Sequence, residues 1–501
     1  MLPRVSISRF VLSVAVGGLC LVLAARTPTV AAEVAPAPRV APADVDKFLL
    51  GEIKARSELM KNLEHLSDRI GGRLTGSANL ERANKWAAER MKAYGLEGVH
   101  LEPWEIPYGW ERGKAEMKLV EPDTGRTLLI ASRGWTPGTK GKITADVVLV
   151  KSPRTADDLK PYRGKLKGAV VMLADPAKVN PITDLSYGPP MPKQGGEKRD
   201  RPPSNAFVEE LMKFLKEEGV ACQVTDAGKP HGLLVTTGGW GADRAAAEEG
   251  FPRVFMAHEH YALLHRLVTR EGAKTRVELE ITNKFVPGPI TVYNTIGEIR
   301  GAEKPDEVVV VGAHLDSWEL GSGTTDNGTG TCVVLETARA VAALVKTGER
   351  PKRTIRFCLF TGEEQGLWGS KKYVEKHKDE LAKHSVALVH DTGTGKVVGF
   401  GTQGRKNILP VMEPQLETLK TVEGWKGLDA GSMGGTDHLP FDGKGVPGFA
   451  CRQDMDEYRL THHTQSDTFD KAKEPNLIQG AQVMAVTAVR VANLPELLPR
   501  K

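Results

Sequence analysis

Cysteine is scarce in this chain, with five in 501 residues, and Cys20 falls inside the apolar start. The other four, Cys222, Cys332, Cys358 and Cys451, follow no spacing that would build a disulfide framework. Three of them lie in or beside apolar runs and read as buried thiols. An excess of one charge is also missing, because 68 Lys and Arg face 63 Asp and Glu. That balance argues against a nucleic acid or a polyanion as partner. No fixed-period repeat is present, which excludes solenoids and propellers. The longest uncharged apolar run, Phe10–Ala25, is short for a membrane-spanning helix.

That run instead completes a secretory leader over residues 1–32. Arg4 and Arg9 precede it, and Val30-Ala-Ala offers small residues for cleavage before Glu33. Cys20 follows Gly-Gly-Leu, without the pattern of a lipid-modified cysteine. Loss of the leader removes three Arg and no acid, lowering the net charge of +5 by three to +2. The mature chain is expected to be secreted or periplasmic, with no stable membrane insertion. The sole Asn-x-Ser/Thr sequon, Asn327-Gly-Thr, lies among the residues of greatest chemical interest and reads as unglycosylated.

Length and composition predict two or three units of ordinary soluble protein, 40% hydrophobic and 26% charged. Residues 33–45, rich in Ala and Pro, read as a disordered lead. Residues 46–124 open the larger domain, with a capped amphipathic helix over Leu80–Tyr94. Residues 125–287 differ in character, with short strands such as Ala145–Val150, Gly168–Leu173 and Gly232–Thr237 around one helix, Ala206–Glu218. A Pro/Gly-rich, charged loop, Tyr187–Ser204, interrupts them. This stretch reads as a small β-rich insert. From 288 to 501 strands and helices alternate as in a doubly wound α/β sheet, with helices predicted at Asn327–Leu344, Leu367–Lys383 and Asn476–Asn493.

Within that last part, acids and histidines stand where apolar strands end. Val308–Val311 and Thr354–Phe360 are apolar enough to be buried on both faces. His314 closes the first and is followed by Asp316. Asp326 lies in a Gly/Thr-rich turn. Glu363-Glu364 follows the second strand, Asp391 ends Val386–His390, and His463 precedes Thr464-Gln-Ser-Asp-Thr. The carboxyl edge of an open α/β sheet is where ligands bind. Carboxylates with imidazole and no thiolate suit Zn, Mn or Co in a hydrolytic site better than a structural zinc. Asp316, two residues on, is placed to hold the imidazole N–H of His314.

His314-Leu-Asp-Ser-Trp, Thr325-Asp-Asn-Gly, Gly362-Glu-Glu-Gln-Gly-Leu-Trp-Gly-Ser370, Asp391, Gly435-Thr-Asp-His-Leu-Pro-Phe441 and His463-Thr-Gln-Ser-Asp-Thr468 occur in this order. Together they resemble the M28 family of metallopeptidases, and within it the carboxypeptidase Q-like branch with a protease-associated insert. The resemblance implies an α/β/α sandwich around a mixed sheet. It implies two Zn2+, with Co2+ or Mn2+ also acceptable to these donors. His314 and Asp391 would take one ion, Glu364 and His463 the other, and Asp326 would bridge. Glu363 would be the general base, with Asp316 in support, and the Asp326–Asn327 peptide would be cis.

The activity implied is an exopeptidase on short peptides, of aminopeptidase or dipeptidase type. A carboxypeptidase on blocked peptides, a glutaminyl cyclase-like acyl transfer and a non-catalytic receptor-like domain are the alternatives. His438 and Glu319 are read as pocket residues, the latter for a free amine. Trp318 and Trp368 divide between core and substrate contact. His258-Glu-His260 has metal-like spacing but reads as a helix cap at the surface. Arg69 and Arg73 read as solvent-facing loop charge. Residues 33–66 fit a propeptide or a dimerisation arm, so a homodimer stays open.

Overall fold

The computed structural model of the chain describes residues 41–179, 204–270, 274–455 and 457–500. The leader, residues 33–40 of the lead, and all of the Tyr187–Ser204 loop except Ser204 lie outside the described residues. The first described element is helix α1 (Pro42–Arg56), so helix begins inside the stretch read as a disordered lead. Pro42 stands at the first helical position, where a missing N–H is harmless. Leu49 and Ile53, one helical turn apart, carry the buried face.

The larger layer is an eight-stranded mixed sheet. Its strands are β1 (Glu97–Ile106), β2 (Ile290–Ile299), β3 (Lys304–His314), β4 (Arg353–Phe360), β5 (His384–Val389), β6 (Val397–Gly401), β7 (Gly427–Asp429) and β8 (Gly448–Gln453), in the order β1-β2-β4-β3-β5-β8-β6-β7. The centre is parallel: β3 pairs in parallel with β4 and β5, and β5 with β8. β1 and β2 close one side antiparallel.

Period-two alternation explains why the central strands are apolar throughout. Val309, Val311 and Ala313 of β3, with Ile355, Phe357 and Leu359 of β4, face one core. That core is covered by α1, α2 (Ala78–Tyr94), α3 (Thr329–Lys346) and α5 (Glu474–Ala492). Val308 and Val310, with Cys358 and Phe360, face a smaller core under α4 (Trp368–Lys376) and the short helix His438–Asp442. The fold is the α/β/α sandwich around a mixed sheet that the sequence implies. Helix α4 ends at Lys376, well short of Lys383. All four described cysteines are free and buried.

A second eight-stranded sheet draws on residues 115 to 281. It begins before residue 125 because Ala115–Glu121 pairs antiparallel with Arg276–Ile281, so the entering and leaving segments are sheet neighbours. Helix Asn205–Glu217 packs Phe207, Leu211 and Phe214 on one face, while Tyr261 and Leu264 of His258–Arg270 cover the other. Gly232–Thr237, expected as a strand, does not join this sheet. Val235 instead forms an antiparallel bridge with Thr464 of the larger domain. Tryptophans from both parts meet at the joint: Trp135 lies edge-on to Trp318 and Trp240, and Trp240 reaches Trp368.

Candidate metal centre

Strand β3 delivers His314 to the carboxyl edge of the sheet. Its Nδ1 lies 3.0 Å from the backbone carbonyl of Asp316, which fixes the tautomer and leaves Nε2 free to face the acids. The expected carboxylate support is therefore a carbonyl one, since Asp316 Oδ1 is 3.6 Å away. The Asp316 carboxylate has another task. It accepts the backbone N–H groups of Glu363 at 3.2 Å and Glu364 at 3.3 Å, and the Thr75 hydroxyl at 3.1 Å.

That grip orients the Glu pair after the turn at Gly362. Gly362 has φ +72°, and a Cβ there would come 2.7 Å from the Trp104 ring. Glu363 and Glu364 then diverge. Glu363 Oε2 lies 3.9 Å from His314 Nε2 with its side chain 10% exposed, whereas Glu364 is 2% exposed and Oε2 meets His463 Nε2 at 2.8 Å. Asp391, beyond β5, approaches His314 Nε2 at 3.1 Å.

Asp326 joins the two halves. Oδ1 is 3.3 Å from His314 Nε2 and Oδ2 is 3.4 Å from His463 Nε2. Its peptide bond to Asn327 is cis. Its N–H and that of Thr325 are held by Asp467 at 3.1 and 2.5 Å. Asp467 lies in the His463–Thr468 motif, where its four-residue distance from His463 was the available signal, but no role for it follows from the sequence.

Two groups of donors are close enough to share an ion: His314, Glu363 and Asp391, and Asp326, His462 and His463. The second grouping counts both histidines, but their rings stack at 3.7 Å and 19°. Stacked rings keep their lone pairs in separate, near-parallel planes, so a single ion in the plane of one ring lies outside the plane of the other. His463 has the better approach, since His462 Nε2 comes no nearer to Asp326 than 3.8 Å. Likewise Asp326 stands closer to His314 than Glu363 does.

Electrostatics fit a cation. Burial, reinforced by neighbouring acids, pushes Glu363 and Glu364 well above the usual carboxylate range, and burial raises Asp391 too. Burial opposes charge on His314, yet Asp391 and Glu363 outweigh it and raise its pKa. Asp326 stays below the usual range despite burial because His314, His462 and His463 face it. Its Oδ2 is buried and has no hydrogen-bond partner among the described residues. Several carboxylates crowded out of water around two imidazoles need positive charge that these side chains do not supply.

These residues floor a cavity of about 810 Å³, walled by Gly366, Leu367, Met433, Thr436, Met455 and Tyr458. Two sequence expectations fail here. His438 does not line the cavity: it begins a short helix turned into the core, is fully buried, and its Nε2 lies 2.8 Å from Gln403 and 3.1 Å from the Met433 carbonyl. Burial lowers its pKa to about 4. Glu319 is also absent from the wall, because Arg112 Nε holds its Oε1 at 2.7 Å.

Arg73 reverses its expectation as well. It is fully buried, donating to the carbonyls of Leu315, Gly71, Ser322 and Gly323 at 2.6, 3.1, 2.8 and 2.7 Å. Trp318 is buried edge-on to the His463 ring, and Trp368 is partly exposed. The His258-Glu-His260 group is a helix start with separate partners: Asp226 for His258, the backbone N–H groups of His231 and Gly232 for Glu259, and that of Leu129 for His260.

The model of Peptidase family M28 matches residues 294–488. Carboxypeptidase Q of Mus musculus is 31% identical, covering 93% of this chain and 92% of its own length, and that of Homo sapiens is 30% identical over the same shares. The crystal structure of a peptidase M28 precursor from Shewanella amazonensis SB2B is 26% identical with a TM-score of 0.74, covering 91% of this chain and 98% of that one. A zinc aminopeptidase from Bacillus subtilis, 21% identical with a TM-score of 0.60 over 86% of this chain and 93% of its own, shares the fold. With this extent of similarity across nearly the whole length, the chain belongs to peptidase family M28 and is a metallopeptidase.

Proposed function

We propose that the protein is an exported, dinuclear zinc exopeptidase that removes residues from short peptides or dipeptides by reading a free N-terminus. The second sheet would be its protease-associated module. His314 and Asp391 would hold one ion and Glu364 and His463 the other, with Asp326 placed between them to serve both. The zinc aminopeptidase among the solved relatives favours zinc, and Co2+ or Mn2+ suit the same oxygen and nitrogen donors. The ions, when bound, activate water and polarise the scissile carbonyl.

The chain's own groups supply the rest. Glu363 Oε2, at the cavity wall, accepts the proton of the attacking water and returns it to the leaving amine nitrogen. Asp316 keeps Glu363 and Glu364 pointing apart by holding both their N–H groups. Glu364 also accepts the N–H of Trp318 at 3.3 Å, which leaves its second oxygen turned to His463.

The observation that carries the choice of terminus is the charge of the wall. Among the described residues it contains Asp326, Glu363, Glu364, Asp391, His314, His462 and His463, and neither lysine nor arginine. Asp326, Glu364 and Asp391 would be taken up by the ions, so what bears on the choice is that a substrate carboxylate finds no lysine or arginine of the wall to pair with. The test is release of amino acids by metal-reconstituted protein from free, N-blocked and C-amidated dipeptides. Free and C-amidated substrates are expected to be cleaved. Release confined to N-blocked substrates would make the enzyme a carboxypeptidase.

A further inference from the structure

The loop that presents His463 is held from outside its own domain. Helix Tyr458–Thr461, a single turn whose Tyr458 carbonyl accepts the His462 N–H at 2.8 Å, precedes it. Lys229, from the second module, places Nζ 2.6 Å from the Arg459 carbonyl and 2.8 Å from that of His462. The ammonium ties the residue before His463, and the end of the turn that leads to it, to the second module.

The contacts continue residue by residue. Thr236 N–H donates to the His463 carbonyl at 3.1 Å, Val235 bridges Thr464, and the Gln465 side chain accepts from Leu234 N–H at 2.9 Å and donates to the Gly232 carbonyl at 3.2 Å. His463 itself has φ +60°, a conformation that a non-glycine residue holds only when its surroundings impose it. The far side of the strap is anchored too, since Glu259 accepts the N–H groups of His231 and Gly232 at 2.7 and 3.1 Å. His314 shows the contrast. Its supports, the Asp316 carbonyl and the Thr331 hydroxyl that donates to its own carbonyl at 2.9 Å, belong to the larger domain.

We propose that Lys229 is a positioning residue for the metal position built from Asp326, Glu364 and His463, and that the strap 229–236 makes the second module a structural part of the metal centre. The assignment deepens the two-ion reading above and rests on it. It follows that loosening the strap weakens one metal position and spares the one at His314 and Asp391.

The experiment compares wild-type protein with Lys229→Met, Lys229→Arg and Gln465→Ala. It uses chelator competition for Zn2+ affinity at each position and hydrogen exchange of segment 458–465 in stripped protein. Lys229→Met should lose about 10- to 100-fold in affinity for one ion, the range seen when groups that orient ligands are removed. The second affinity should be unchanged, exchange in 458–465 should quicken, and Lys229→Arg should recover part of both. Gln465→Ala, an exposed position, should shift the same two readouts less and carries the test if Lys229→Met does not fold. Wild-type affinities at both positions together with unchanged exchange would overturn the proposal. A wild-type protein that binds a single ion would instead sink the two-ion reading, while the exchange of stripped protein still decides whether Lys229 holds the loop.

Discussion

Replacing Arg73 by Met should destabilise the metal-free protein by about 4 kcal/mol, an unusually large effect for one residue. The guanidinium makes four hydrogen bonds to backbone carbonyls of Gly71, Leu315, Ser322 and Gly323 and is fully buried. Among the described residues no carboxylate comes within ion-pair distance of it. Methionine fills a similar volume but offers no donor. The Gly323 carbonyl keeps the Gly328 N–H at 3.0 Å, and each of the other three left without a partner costs about 1–3 kcal/mol, or roughly 3–9 kcal/mol together. Against this stands the desolvation of the charge, several kcal/mol, which the substitution relieves. Burial pulls the Arg73 pKa below its ordinary value, which is the sign of that penalty. The difference is a net loss near the lower end of the gross range. Urea unfolding of stripped wild-type and variant proteins measures it. Lys at position 73 should recover less than half, since one ammonium cannot reach four carbonyls arranged around a planar fork. A variant within about 1 kcal/mol of wild type would refute the reasoning, because the carbonyls would then have found other partners at no cost.

Two further outcomes are expected. Glu363→Gln should keep Zn2+ binding, measured by metal content, while turnover of a dipeptide falls by about 10²–10⁴-fold, the worth of a positioned base; near-normal turnover would remove Glu363 from that role. His384, buried with Nε2 against the Tyr373 hydroxyl at 3.0 Å, has its pKa lowered to about 4, chiefly by burial. Its folded pKa lies below the unfolded value of about 6.5, so the stability it contributes is full above 6.5 and lost as pH falls towards 4, up to roughly 3 kcal/mol. In stripped protein His384→Gln should flatten the wild-type decline in unfolding free energy over that window, and an equally steep decline in the variant would count against it.

The cluster of acids and histidines was legible because its residues end apolar strands, and strand ends of a parallel sheet converge in space whatever their distance along the chain. His314, Glu363 and Asp391 are brought together by the register of β3, β4 and β5. What stayed hidden depends on partners that carry no signature. Arg73 reads as a solvated charge because three of its four partners are main-chain oxygens 242 to 250 residues away. Glu319 reads as available because nothing near it in sequence announces Arg112. Gly232–Thr237 has the apolar and β-branched residues of a strand, yet it is matched by the short run His463–Gln465 rather than by a neighbouring strand. His438 sits among the site motifs in sequence but is turned into the core, where it begins a short helix.

The joint between the two sheets has an optical meaning. Of the eight tryptophans, Trp86 stacks on His65 and Trp425 meets Phe400 edge-on, while Trp104, Trp110, Trp135, Trp240, Trp318 and Trp368 form a contiguous cluster. Indoles at centroid distances of 5.2 to 6.4 Å couple as excitons and pass excitation among themselves. Trp318, at one end, touches the ring of His463. The near-ultraviolet circular dichroism and emission of this protein are therefore dominated by the seam between its modules. A paramagnetic ion seated beside His463 would darken that whole cluster through a single indole.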